Sequence, residues 1–222
     1  MYLFNQEIAK KNLNDFFVKN GSLLTSFGRT VNQTFEAYVF ASCMKWYRNN
    51  GWTVSIINPK SGRHRDKFQL KFNTRGAPAN YSYAKCTKDK VVKQIHHGLR
   101  VSTKYSSYGT DNFTANICLD IAIINEIDIS EYKTDVAISN QQLLSFGETK
   151  HMSAFAELIA GFIGMVHEMM PDALNSSHII DDDILPFLYV SGKLYTIARG
   201  IYETILDRGF KINIFSFDNK MN

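Results

Sequence analysis

The sequence predicts an α/β fold: a mixed β-sheet flanked by helices, with a basic, β-rich insertion. Three observations predict it. In the second half of the chain, β-branched runs alternate with helical patterns, the order expected when helices cover the faces of a sheet. At 222 residues and 45% hydrophobic, the chain is long and apolar enough to bury a full core. The basic residues are crowded into one stretch. Twelve Lys and Arg stand between Lys60 and Lys104 against only Asp66 and Asp89, while the rest of the chain is mildly acidic and the total is +4. Charge segregated in this way marks a surface for phosphate groups.

Residues 5–18 carry a broken apolar stripe of Ile8, Leu13, Phe16 and Phe17 and predict an amphipathic helix, part of an N-terminal helical extension over 1–28. KNGSL turns the chain after it. Helical spacing from Thr30 to Asn49 ends at RNNG, a C-terminal stop, and WTVSIIN (52–58) reads as a strand. The basic segment follows as an insertion over 59–111. It alternates in KFQLKFN (67–73) and GLRVSTKY (98–105), so it is expected to be β-rich. Tyr81, Tyr83, Tyr105 and Tyr108 are interleaved with its charges. Such rings stack on bases in some proteins, but more often pack beneath loops.

NFTANICLDIAIIN (112–125) is a strong strand, EIDISEYKTD a polar connection and QLLSFGETK (142–150) another strand. A helix is expected over 153–170, stopped by Pro171. Its Ala156, Ala160 and Gly164 recur every four residues, a spacing that lets a helix lie close to a sheet. LPFLYVSGKL (185–194), TIARGIYETILDRG (196–209) and KINIFSF (211–217) complete the pattern as strand, helix and strand. The whole reads as a single domain.

Several classes are disfavoured. Cys43, Cys86 and Cys118 are odd in number and widely spaced, so buried reduced thiols in a cytoplasmic protein are expected. No run approaches 18 apolar residues, so no membrane partner is expected, and MYLFNQEIAKKNLNDFF lacks the basic start and apolar core of a signal peptide. HIIDDD (178–183) reads as a solvated loop. His96 and His97, adjacent in a strand, would face opposite ways. No phosphate-binding glycine loop, dinucleotide turn or nucleophile elbow is present.

Two strands hold charges where apolar residues are expected. Asp120 interrupts NICLDIAII, and Glu148 and Lys150 end the run LLSFGETK. Residues two apart on a strand share a face, so Leu144, Phe146, Glu148 and Lys150 would form one row. Charges in such places are costly unless paired or bound to a metal. If the strands are neighbours, Asp120 and Glu148 meet, and two close carboxylates repel unless a cation lies between them. Oxygen ligands suit Mg²⁺, or Mn²⁺. Acid-x-Lys occurs three times, at Glu131–Lys133, Glu148–Lys150 and Asp218–Lys220, but only Glu148 ends a strand, follows an acid-bearing strand and precedes a helix.

An acid in one strand, acid-x-Lys in the next and a helix after it resemble the PD-(D/E)XK nucleases, which share the restriction-endonuclease-like fold. The resemblance spans about residues 30–217. Leu119 stands where the motif often has proline. By this resemblance Asp120 and Glu148 are metal ligands and Lys150 the catalytic lysine. Glu36, the only acid of its helix, shares a face with Phe40 and Cys43 and is implied as an auxiliary catalytic and metal-binding group. The implied activity is Mg²⁺-dependent hydrolysis of DNA, more readily duplex, by a restriction or phage-defence endonuclease. Arg63, Arg65, Lys67, Arg100 and Lys104 would hold the backbone. A homodimer is implied, because one site cuts one strand, and a defence effector would need an activating partner or signal. RNA as substrate, and a non-catalytic binding subunit, are the alternatives. His151, next to the motif, is expected to be structural.

Overall fold

The computed structural model describes residues 5–19, 30–106, 115–134, 136–177, 183–216 and 221. Tyr108, the first five residues of HIIDDD and the Asp218–Lys220 pair lie outside them. In chain order the elements are α1 (Gln6–Lys19), α2 (Val31–Asn49), β1 (Thr53–Ile57), β2 (Tyr83–Lys88), β3 (Val91–Ser102), β4 (Asn116–Asn125), β5 (Leu143–Lys150), α3 (Ala156–Met169), β6 (Phe187–Val190), α4 (Thr196–Asp207) and β7 (Asn213–Phe215). No helix among the described residues is long and apolar enough to cross a membrane.

The seven strands form one mixed sheet in sequence order, β1 to β7. β1 to β5 pair antiparallel, and β5, β6 and β7 pair parallel. The change of sense follows from the connections. A two-residue turn joins β2 to β3, with Asp89 in the left-handed conformation (φ 53°) that such hairpins require. Parallel neighbours need a crossover, and α3 and α4 supply it. Two of the strands, β2 and β3, come from the basic segment, which is thereby part of the sheet.

Each face of the sheet carries its own core. On one, Leu13 of α1 and Phe35, Phe40, Met44 and Tyr47 of α2 pack with Ile95, Ile121, Ile123 and Phe187. On the other, Ile159, Phe162 and Val166 of α3 and Ala198 and Ile205 of α4 pack with Phe146, Leu188, Val190 and Ile214. α2 starts where expected because the Thr30 hydroxyl accepts the Gln33 N–H at 3.4 Å. It stops before Gly51, at φ 82°.

Four expectations are corrected. Residues 67–73 are irregular, not a strand: Phe68 and Leu70 do alternate into the core, but the segment forms no more than a single bridge, at Phe68, and rests on β3 at Gly98. The pairing of β4 with β5 shifts register between Ile123 and Ile124. Leu144, the extra residue, turns to the α2 side while Phe146 faces α3, so the two do not share a row. In α3 the small residues Ala160 and Gly164 face outward, and the sheet is met by Ile159, Phe162 and Val166. Asp183 is no solvated loop residue. Its carboxylate accepts Lys93 Nζ at 2.8 Å and Tyr47 Oη–H at 2.5 Å, with only 10% of the side chain exposed.

Candidate active site

β4 and β5 pair as far as Ile121 and Gly147, and then they part. Beyond this fork β4 stays with β3, and β5 stays with β6. Asp120 and Glu148 are the first residues past the last pair, so the register carries them to facing sides of the opening. Crevices where neighbouring strands diverge are common binding places in α/β sheets. Gly147 allows the close packing beneath: a Cβ there would lie 2.1 Å from the Phe187 ring.

At the fork a side chain takes over from the ladder. Asp120 Oδ2 accepts the Thr149 N–H at 2.9 Å and the Thr149 hydroxyl at 3.1 Å, which holds the carboxylate across the gap. Lys150 Nζ donates to Glu148 Oε1 and lies 3.7 Å from Asp120 Oδ2. One ammonium thus serves two carboxylates. Burial and then the Asp120 charge raise the Glu148 pKa from 4.5 to about 7, and Lys150 only partly opposes them. Burial works against the charge of Lys150, but Glu148, Asp120 and Glu36 outweigh it, so its pKa is raised.

Glu36 approaches from α2. Its Oε2 is 3.1 Å from His97 Nε2, within ion-pair range but without hydrogen-bond alignment. His97 Nδ1 lies 2.8 Å from the Lys71 carbonyl oxygen, which fixes this nitrogen as the N–H donor. The same carbonyl sits over Gly98, at φ 65°, where a Cβ would come within 2.3 Å of it. The glycine therefore lets the 67–73 segment rest directly on β3. His96 points away to Gln94 and stacks on Tyr83, so the two histidines do face opposite ways. Burial lowers the His96 pKa to about 3.

The structure thus brings Asp120, Glu148 and Lys150 together and sets Glu36 beside them on His97. Among the described residues no three His, Cys, Asp or Glu side chains gather into a metal-binding group. The donor set at the fork is two carboxylates with a lysine. That suits Mg²⁺, which commonly takes one or two protein carboxylates and completes its shell with water and substrate phosphate. The basic candidates are spread. Arg63 and Lys67 are exposed in the loop that leads to Lys71, where Arg65 pairs with Asp66 at 3.2 Å. Arg100 is on β3 past the fork, and Lys104 lies 4.0 Å from Asp172. His151 hydrogen-bonds the Ser191 hydroxyl at 2.8 Å, and burial lowers its pKa.

Sequence reading missed Thr149, His97 and Lys71. Thr149 sits inside the acid-x-Lys motif, so its position was the signal. His97 and Lys71 reach the site only through the packing of the 67–73 segment on β3, which no local pattern announces. Comparison with protein-family models, with curated proteins and with solved structures finds no match.

Proposed function

We propose that the chain is a metal-dependent endonuclease of the restriction-endonuclease-like fold that hydrolyses DNA phosphodiester bonds. One observation carries the reading: two carboxylates from adjacent strands meet at the β4–β5 fork with a lysine against both. Such a pair is electrostatically incomplete, and the raised pKa of Glu148 expresses that. Asp120 and Glu148 would hold Mg²⁺, or Mn²⁺. The ion supplies charge neutralisation on the phosphate and a more acidic bound water.

The protein groups do the rest. Thr149 keeps Asp120 turned towards the opening. Lys150 places a positive charge where the phosphorus gains negative charge as water adds and the ester oxygen departs. Glu36, 3.1 Å from His97 Nε2, orients the attacking water. The loop with Arg63, Arg65 and Lys67 grips the backbone. Cutting both strands of a duplex calls for two copies of the site, hence a homodimer. A cytoplasmic restriction or phage-defence enzyme, the latter activated by a partner or signal, is the role this chemistry serves.

The test is incubation of the purified protein with plasmid, linear DNA and RNA in Mg²⁺, Mn²⁺ or EDTA, beside Glu148→Ala. Metal-dependent cutting should fall by at least about a hundredfold in the variant, with binding retained. Cutting of RNA alone would reassign the substrate. Binding without cutting in any metal would make the chain a non-catalytic subunit.

A further inference from the structure

Past the fork, β3 and β4 continue as a paired ribbon from Leu99↔Leu119 to Ser102↔Asn116, and Ile138 bridges Val101 on the other edge of β3. On it Arg100 stands opposite Cys118, two residues from Asp120, which is about 7 Å along a strand. That separation is comparable with one nucleotide step along a nucleic-acid backbone. The Arg100 guanidinium is only partly used. Its Nη1 donates to Asn116 Oδ1 at 2.6 Å, while its Nε is buried with no hydrogen-bond partner. A buried donor left unmade is costly in the free protein, and a guanidinium presents paired donors that match a phosphate.

Lys71 lies against the same strand, over Gly98. It is buried, at 4% exposure, although it lies in the exposed basic loop's own continuation. Its carbonyl rests on Gly98 and accepts from His97, so its backbone is anchored beside the fork.

We propose that Arg100, with the backbone of Lys71 anchored beside it, forms a subsite for the phosphate next to the scissile one on the same nucleic-acid strand. The inference rests on the nuclease reading for the meaning of "scissile", but its core, an anion subsite on the ribbon, stands apart from catalysis. It makes the substrate a polynucleotide with at least one flanking phosphate, not an isolated diester.

Two measurements test it, both with the full chain. The first is binding of labelled DNA and RNA 20-mers, single-stranded and duplex, in EDTA over a range of salt. Arg100→Gln should flatten the slope of log K against log salt by about 0.7 to 0.9, and Arg100→Lys should restore it. An unchanged slope and affinity in Arg100→Gln, or no binding by the wild type, overturns the subsite. The second uses oligonucleotides with one neutral methylphosphonate linkage, cut in Mg²⁺. Cleavage at one adjoining linkage should be suppressed roughly ten- to a hundredfold, and the suppression should vanish in Arg100→Gln. Equal cutting on both sides of the neutral linkage overturns the subsite while leaving the nuclease standing. Arg100-dependent binding with no cutting at all leaves the subsite standing and sinks the nuclease.

Discussion

The Asp120 carboxylate accepts both the backbone N–H and the hydroxyl of Thr149, at 2.9 and 3.1 Å, at the point where their strands separate. The middle residue of the acid-x-Lys motif is thus a positioning residue for the acid on the other strand. Thr149→Val keeps the shape and the backbone bond but removes the hydroxyl. It should raise the Mg²⁺ concentration for half-maximal cleavage roughly tenfold, with a stability loss of about 1 kcal/mol. Metal titration by calorimetry, alongside thermal melting, reads both. An unchanged metal requirement would reduce the hydroxyl to a packing role.

Glu148 gives the free protein a pH signature. Its folded pKa is about 7 against 4.5 ordinarily, chiefly through burial and then through Asp120. Between those values the native state binds the proton more tightly than the unfolded chain. The stabilisation is therefore complete below about pH 4.5 and is lost as pH rises through about 7. In EDTA the melting temperature should drop across this window, and Glu148→Gln should flatten the drop. Mg²⁺ should raise the melting temperature more at pH 8 than at pH 5, because the cation competes with that proton. A melting temperature equally pH-dependent in Glu148→Gln would locate the titration elsewhere.

The buried cluster on the other side of the sheet edge bears on stability alone. Asp183 neutralises Lys93 and accepts the Tyr47 hydroxyl, and Lys93 Nζ also lies 4.7 Å from the centre of the Trp52 ring. Removing the carboxylate strands a buried ammonium. Asp183→Ala should cost about 3–5 kcal/mol in chemical denaturation. A loss below about 1 kcal/mol would mean that the cluster is open to water.

Gly98→Ala tests the seat of the 67–73 segment. The added methyl would meet the Lys71 carbonyl at 2.3 Å, at a residue already in the left-handed conformation. Strain of this kind costs on the order of 1–3 kcal/mol, and relief requires the segment to lift from β3. The variant should lose stability and, with His97 and Lys71 displaced, nucleic-acid affinity as well. Melting and binding titrations would check it; full affinity in a folded variant would detach the segment from the site.

Much of the architecture was legible in local pattern, because alternation, helical spacing and stop signals are properties of a few consecutive residues. Both helices before β1, the acid in β4, the acid-x-Lys in β5 and the helix–strand alternation after it stand close to where the residues place them. Charge in an apolar run also singled out Asp120, Glu148 and Lys150, since burial of charge demands a reason. Other features depended on partners distant in the chain. KFQLKFN alternates like a strand, yet it makes no more than one bridge, at Phe68, and rests on β3 instead of extending the sheet. The bulge at Leu144 arises from the register between β4 and β5, and it reverses one side chain without a local mark. Asp183 looked solvated because nothing near it in sequence predicts Lys93 and Tyr47. The parting of β4 from β5 sets Asp120 against Thr149, and the resting of Lys71 on Gly98 sets His97 against Glu36. Side-chain type was written in the chain; which types meet was decided by sheet register and by the one segment that crosses it.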